Sequence, residues 1–379
     1  MTSVPRFPFP VLRSTFPVLL VATLCATLAL GAQSTPAGDA QPNLVLENDR
    51  LSLAMRRPGG SMVELILKDD PSRTNPMHSL GHFVCVDGFG PSSPEERAAG
   101  LPMHGEANRV PWEQTASTRE DRTLSVSFAA HLPLVHENFR RTIHLVDGEQ
   151  VVYIDSELES LLAFDRPVNW GEHATIGPPF LELGKTVVEM SARRGMTRSY
   201  DSQSASPPHR LASFQEFQWP MAPGVNGELI DVRPAPATTP VGDHTTSLMD
   251  PSRDFAYVTA LNADRRLVLG YIFRREEFPW IQLWENYPAN GRLARGLEFA
   301  VQPFDLPRRD VIQQNTLLGA PTYRWLPAKS TITARFLMFY ARTPETLRRV
   351  DDVRLENGRI VVEDRSSGVT MTLQASRGL

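Results

Sequence analysis

Cysteine is nearly absent from the 379 residues: there are two, Cys25 and Cys85. Cys25 lies in an apolar leader, so an exported chain keeps Cys85 alone and closes no internal disulfide. Stability must then come from a large core. A basic excess is also missing. Lys and Arg number 39 against 43 Asp and Glu, a formal net charge of -4, which removes the electrostatic footprint of a nucleic-acid binder. The longest apolar run, Val18 to Ala32, holds about 15 residues where a membrane-spanning helix needs roughly 20. There is no His-Glu-x-x-His segment, no Gly-x-Ser-x-Gly elbow, no phosphate-binding glycine loop and no dinucleotide fingerprint. His78 and His82 are four apart with Cys85 following, but no further ligand pattern completes a zinc site, so no metal or cofactor is expected.

The leader has the order of a secretory signal. Arg6 and Arg13 precede the apolar run, and Ala29-Leu30-Gly31 offers small residues to a signal peptidase. Residues 1–31 are read as that signal, and Leu24 in front of Cys25 argues against lipid attachment. Residues 32–42, small, polar and Pro-containing, read as a flexible linker, and residues 43–379 as one β domain. The protein is expected to be secreted or periplasmic, without stable membrane insertion once the signal is cleaved.

Beyond the linker the chain is dominated by alternation of apolar and polar residues. It runs through Leu44 and Leu46, Leu51 and Leu53, Met62, Leu65 and Leu67, then 124–128, 141–146 and 151–154, and later 255–261, 266–273, 297–301 and 331–340. Helical patterns are confined to 93–98, with a Ser cap and Pro94-Glu95-Glu96, and to 344–350. Leu46-Glu-Asn-Asp-Arg-Leu51 is echoed by Leu355-Glu-Asn-Gly-Arg-Ile360, two hairpins, with Asn357-Gly358 the stronger turn. Residues 202–241, rich in Ser, Pro and Ala, read as a long excursion between strands of the kind that borders binding sites.

Four segments carry candidate chemistry. His104-Gly105, in the polar stretch 103–113, suits a loop passing close to a ligand; a solvated turn would read the same. Asn169-Trp-Gly-Glu-His173 places a proton-carrying imidazole in a segment stiffened by Trp170 and Pro178-Pro179, though a satisfied core histidine has the same signature. In Gly296-Leu-Glu298 the period of two puts Leu297, Phe299 and Val301 on one face and Glu298, Ala300 and Gln302 on the other. Trp280, Gln282 and Trp284 share a strand face, an aromatic surface suited to the apolar C–H face of a sugar ring and equally to a core.

In this order the segments resemble the galactose mutarotase-like superfamily, which includes the aldose 1-epimerases, over roughly 43–342. The matching elements are His104-Gly105, Glu172-His173, Asp243-His244, Leu297-Glu298, and Leu326-Pro327 before the strand at 331–340. The resemblance implies a large antiparallel β-sandwich, a supersandwich with its site on a concave sheet face. It implies His173 as general acid at the ring oxygen, Glu298 as general base at the anomeric hydroxyl, and His104 and Asp243 as substrate contacts. Where hexose-phosphate members carry an Arg, four residues after the loop His, this chain has Asn108, and Arg109 comes next as a substrate contact. The chain also continues past the last family strand into a hairpin at 353–373.

Such an enzyme opens the sugar ring with an acid and a base on opposite sides of the anomeric centre, with no cofactor. Its partner is a small sugar or glycan. Two rivals share the scaffold. One is a non-catalytic carbohydrate-binding protein. The other is a glycan-cleaving hydrolase or lyase, which would need a second carboxylate near Glu298, for which Glu172, Glu285 and Asp243 are the candidates.

Overall fold

Period-two alternation builds the molecule. A computed structural model describes residues 43–200 and 207–379; the expected signal, 1–31, and linker, 32–42, lie outside the described residues. The described strands form two large sheets, one 13-stranded and one 8-stranded. In the larger, Met77–Val86, Trp170–Ile176, Ala294–Gly296 with Glu298–Ala300, Trp280–Asn286, His244–Met249 and Ala192–Thr197 lie side by side. Their pairings are antiparallel. In the smaller, Phe255–Asn262, Leu267–Arg274, Thr331–Arg342, Val151–Ser160, Glu137–Val146 and Thr123–Leu132 are consecutive. Among the described residues no helix is long and apolar enough to cross a membrane.

The two sheets meet through one apolar core. Leu53, Leu65, Val84, Trp170, Ile281 and Phe299 come from the larger sheet, and Phe139, Ile143, Val152, Tyr271, Phe336 and Met338 from the smaller. Phe273 and Phe299 stack across the interface at 4.5 Å, a geometry that adds to the burial of both rings. This is the all-β antiparallel sandwich expected from the sequence. Leu297, Phe299 and Val301 enter the core together, so the alternation in that strand holds.

The C-terminal extension is a three-stranded sheet, Asp352–Glu356, Arg359–Asp364 and Val369–Gln374. It covers the outer face of the smaller sheet: Val353, Ile360, Val362 and Leu373 pack with Tyr153, Val268, Ile272, Leu337 and Phe339. Its first turn is Asn357-Gly358, with φ of 51° and 69°, as a two-residue hairpin turn of mirror-image type requires. Gly358→Ala should therefore cost about 1 kcal/mol, read as a lower urea midpoint at unchanged slope.

Two local expectations are corrected. The helix expected at 344–350 does not form: the segment is irregular, buries Leu347 and Val350 in the second core, and turns the amides of Arg348 and Arg349 onto the Asp364 carboxylate. A side chain that accepts backbone N–H groups competes with helical bonding. Of the excursion expected at 202–241, the described part, 207–241, is more than a loop. It adds Glu216–Gln218, Met221–Pro223 and Leu229–Asp231 to the edge of the larger sheet, around a small core of Tyr200, Leu211, Phe217, Ala222 and Val232. The helix at Pro94–Ala98 forms as expected, with a capping box between Ser93 and Glu96.

Candidate active site

Trp170–Ile176 is a central strand of the larger sheet, and its alternation sorts two chemistries. Trp170, Ala174 and Ile176 join the core, while His173 turns to the opposite face and lines a cleft of about 570 Å³. Phe83, opposite His173 in the register, stacks on the imidazole at 4.4 Å. Phe89 and Trp284 complete an aromatic wall, with ring centroids 6.0 and 6.1 Å from that of His173.

Glu298 also lies on this face, 2% exposed, with Oε1 3.4 Å from His173 Nε2. The pair thus stands side by side on the cleft surface. Gly296 makes room for it: a Cβ there would lie 2.1 Å from Glu298 Oε1. Gly296→Ala should displace the carboxylate and lower turnover about 10-fold while leaving the strand paired, a split that steady-state kinetics and thermal melting separate.

Burial acts against the charged form of both groups. It pushes the Glu298 carboxyl well above its usual range, helped by the negative charge of Asp305. Burial also holds the His173 imidazole well below its usual value, with the charge of His104 acting the same way. Both shifts favour the uncharged forms, which is what burial does to an acid and a base alike.

His104 approaches from the loop at 103–106. It and Gly105 take φ of 68° and 74°, and a Cβ on Gly105 would sit 2.0 Å from the Val86 carbonyl oxygen, so only glycine allows this approach. The His104 Nδ1–H donates to the Phe89 carbonyl, which leaves Nε2 without a proton in the neutral ring. The ring stands edge-on to His173 at 5.1 Å. Arg109 lines the exposed rim, together with Asn108 and Arg56.

Asp243 is not part of the cleft. Its carboxylate accepts from the backbone N–H and Nε of Arg210 at 2.7 and 2.6 Å, and Arg210 continues to Glu285 at 3.1 Å. The next residue, His244, lines the cleft instead, because neighbours in extended backbone face opposite ways. Arg198 Nη1 donates to His244 Nδ1 at 3.1 Å, so the ring is the Nε2–H tautomer, donating to Gln282 Oε1 at 3.0 Å. Burial, opposed by Asp305 and assisted by Arg198, pushes His244 down to about 4.

Trp280 shares the strand face of Trp284 but is roofed over: it packs with Met196, Phe304 and Leu317 and donates Nε1–H to the Pro321 carbonyl at 2.8 Å. Of the proposed second carboxylates, Glu172 points into the core and Glu285 joins the Arg210 network. His82 is bonded to Glu172, also in the core. Among the described residues no group of three His, Cys, Asp or Glu could hold a metal ion.

Arg198, Asp305, Phe83 and Phe89 also line the cleft, and no motif in the sequence singles them out. Asp243-His244 contained the signal for His244, read one residue off. Phe83 follows from strand alternation once His82 is placed inside. Arg198 and Asp305 sit at strand ends and in a loop, without any pattern to mark them.

No family model matches the chain, and no curated protein matches it by sequence. Solved structures do. A galactose mutarotase-like protein from Clostridium acetobutylicum is similar over 79% of this chain and 95% of its own, at 12% identity and a TM-score of 0.57. A candidate aldose 1-epimerase from Escherichia coli K12 matches over 79% and 99%, at 12% identity and a TM-score of 0.56. Part of a TPR-domain containing protein from Parabacteroides distasonis matches too, over 86% of this chain and 51% of that one, at 10% identity and a TM-score of 0.52. The chain has the galactose mutarotase-like fold.

Proposed function

We propose that the protein interconverts the anomers of a free aldose by acid–base ring opening. The observation that carries this reading is the His173–Glu298 pair on the floor of an aromatic-walled cleft, 3.4 Å apart. The ring oxygen and the anomeric hydroxyl of a hemiacetal share one carbon, so an acid and a base flanking that carbon can serve both from neighbouring positions on the cleft surface. With the proton that the pair shares on His173 and Glu298 ionised, Glu298 takes the hydroxyl proton while His173 gives its proton to the ring oxygen and the C–O bond breaks; the open aldehyde rotates, and on reclosure both protons return the way they came. Phe83, Phe89 and Trp284 offer apolar faces to the sugar's C–H groups, with His104, Arg109 and His244 as polar contacts. The chemistry uses protein groups alone.

The hydrolase reading wants two carboxylates about 5–9.5 Å apart across the scissile bond. Glu172, Glu285 and Asp243 all lie outside the cleft, and Asp305, which lines it, is already paired with Arg198 at 2.8 Å. Proton NMR of a mixture of free aldoses and short glycans separates the readings: exchange between anomer signals supports the isomerase, and new reducing ends support cleavage. Binding with neither would support a non-catalytic sugar-binding protein.

The leader supports export of this enzyme. Expressed with its first 31 residues, the protein should be recovered outside the cytoplasm with an intact mass lacking them; full-length cytoplasmic protein would contradict this.

A further inference from the structure

Three buried polar atoms of the cleft residues have no hydrogen-bond partner among the described residues: Glu298 Oε1, Asn108 Oδ1 and Asp305 Oδ1, and the last belongs to a group without a role in the proton transfer. Asp305 lies in the stretch between the strand Glu298–Ala300 and the helix Arg308–Gln314. Its Oδ2 is 2.8 Å from Arg198 Nη1. Its Oδ1 is shielded from solvent and accepts no hydrogen bond among the described residues. The nearest ring nitrogen, His244 Nδ1, is 3.5 Å away and has no proton to give, because it accepts one from Arg198. A shielded carboxylate oxygen lacking a donor is costly, and it lines the same cleft as His173 and Glu298.

The position is over-determined by its backbone. A Cβ on Gly90 would lie 1.9 Å from the Asp305 carbonyl oxygen, so the loop is pressed onto a glycine that no other residue can replace. On the other side the Arg198 N–H donates to the His244 carbonyl at 3.0 Å. Both backbones are thereby fixed, and the Arg198–Asp305 ion pair with the Arg198–His244 hydrogen bond ties the side chains, as a recognition site requires.

We propose that Arg198 and Asp305 form a hydroxyl-reading clamp, in which Asp305 Oδ1 accepts from one hydroxyl of the sugar ring and Arg198 donates to its neighbour. The pair then sets which sugars bind, and it rests on the reading that the cleft takes a free sugar. A site built to accept a hydroxyl proton rejects the analogue that lacks it, because its own polar group stays unpaired. The charge of Asp305 also raises the proton affinity of Glu298, which couples recognition to the base.

The test is calorimetric binding of D-galactose and D-glucose, each with its series of monodeoxy analogues, to wild type, Asp305→Asn and Arg198→Lys, with thermal melts to show that the variants are folded. Wild type should bind one parent sugar at least about 10-fold more tightly than one of its deoxy analogues. Asp305→Asn should lose roughly 10- to 100-fold for the parent and nothing further for that analogue. Arg198→Lys should produce the same selective loss for a neighbouring position. Equal losses across all analogues, or none, would overturn the clamp and leave the proposed isomerase standing. Absence of any sugar binding by wild type would overturn both. The selective loss without anomer interconversion would establish the clamp and overturn the isomerase.

Discussion

Glu298→Gln should lower the turnover of anomer interconversion by roughly 100-fold or more while sugar binding persists. Glutamine keeps the volume and much of the hydrogen bonding of the side chain, but its amide does not accept the proton that general-base catalysis must remove. His173→Asn should behave likewise, because Nε2, 3.4 Å from the carboxylate, is then lost. The double variant should lose far less than the product of the single losses, since both groups serve one proton transfer. The pH profile depends on the same pairing. Glu298 and His173 are 3.4 Å apart, so the two titrate as a unit, and the proposed step runs when they hold one proton between them; burial works against the charged form of each. Activity should fall on the acid side, where both hold a proton, and on the alkaline side, where neither does. A profile in Glu298→Gln that keeps both limbs and full amplitude would show that another base acts.

The second large effect lies on the opposite face of the same strand. Glu172 is fully buried, with Oε1 2.5 Å from Arg141 Nη2 and Oε2 2.9 Å from His82 Nε2. Arg141 in turn donates Nε–H to Ser156 at 3.0 Å and lies over the Phe139 ring. Glu172→Ala leaves the guanidinium buried without a counter-charge, which costs about 3–5 kcal/mol. Replacing Glu172 and Arg141 together by apolar residues should cost less than Glu172→Ala alone. Acid should reveal the same cluster. Burial by itself would raise the Glu172 carboxyl, but the Arg141 charge and the His82 hydrogen bond hold it below its ordinary value. A group whose affinity is lower in the folded state stabilises fully above its ordinary value of 4.5 and stops doing so as pH falls through the folded value. Urea unfolding at neutral and acid pH should show wild type converging on Glu172→Ala as the solution is acidified; a constant gap would mean that Glu172 does not titrate with folding.

Much of this arrangement was legible in the sequence because extended chains report their faces directly. The alternation around Glu298 separated Leu297 and Phe299 from the carboxylate, and the structure keeps that division. The order of His104, His173 and Glu298 along the chain also pointed to segments that the fold brings to one cleft. The rest depended on what a local pattern does not carry. Whether Trp280 or Trp284 meets solvent is decided by the roof that Phe304 and Leu317 form over one of them. The Asp243-His244 pair is visible in the sequence, but which of the two faces the cleft is not. Arg198 and Asp305 are brought together by tertiary contact between a strand end and a loop, a juxtaposition with no sequence period.

The most direct measurement is the relaxation of optical rotation after a pure anomer of each common aldose is dissolved with the protein, at neutral pH, beside Glu298→Gln at equal concentration. Wild type should accelerate relaxation of at least one aldose in proportion to enzyme concentration, and Glu298→Gln should lose at least about 99% of that acceleration. Sugar binding by wild type with relaxation at the uncatalysed rate for every aldose would contradict an acid–base role for the His173–Glu298 pair.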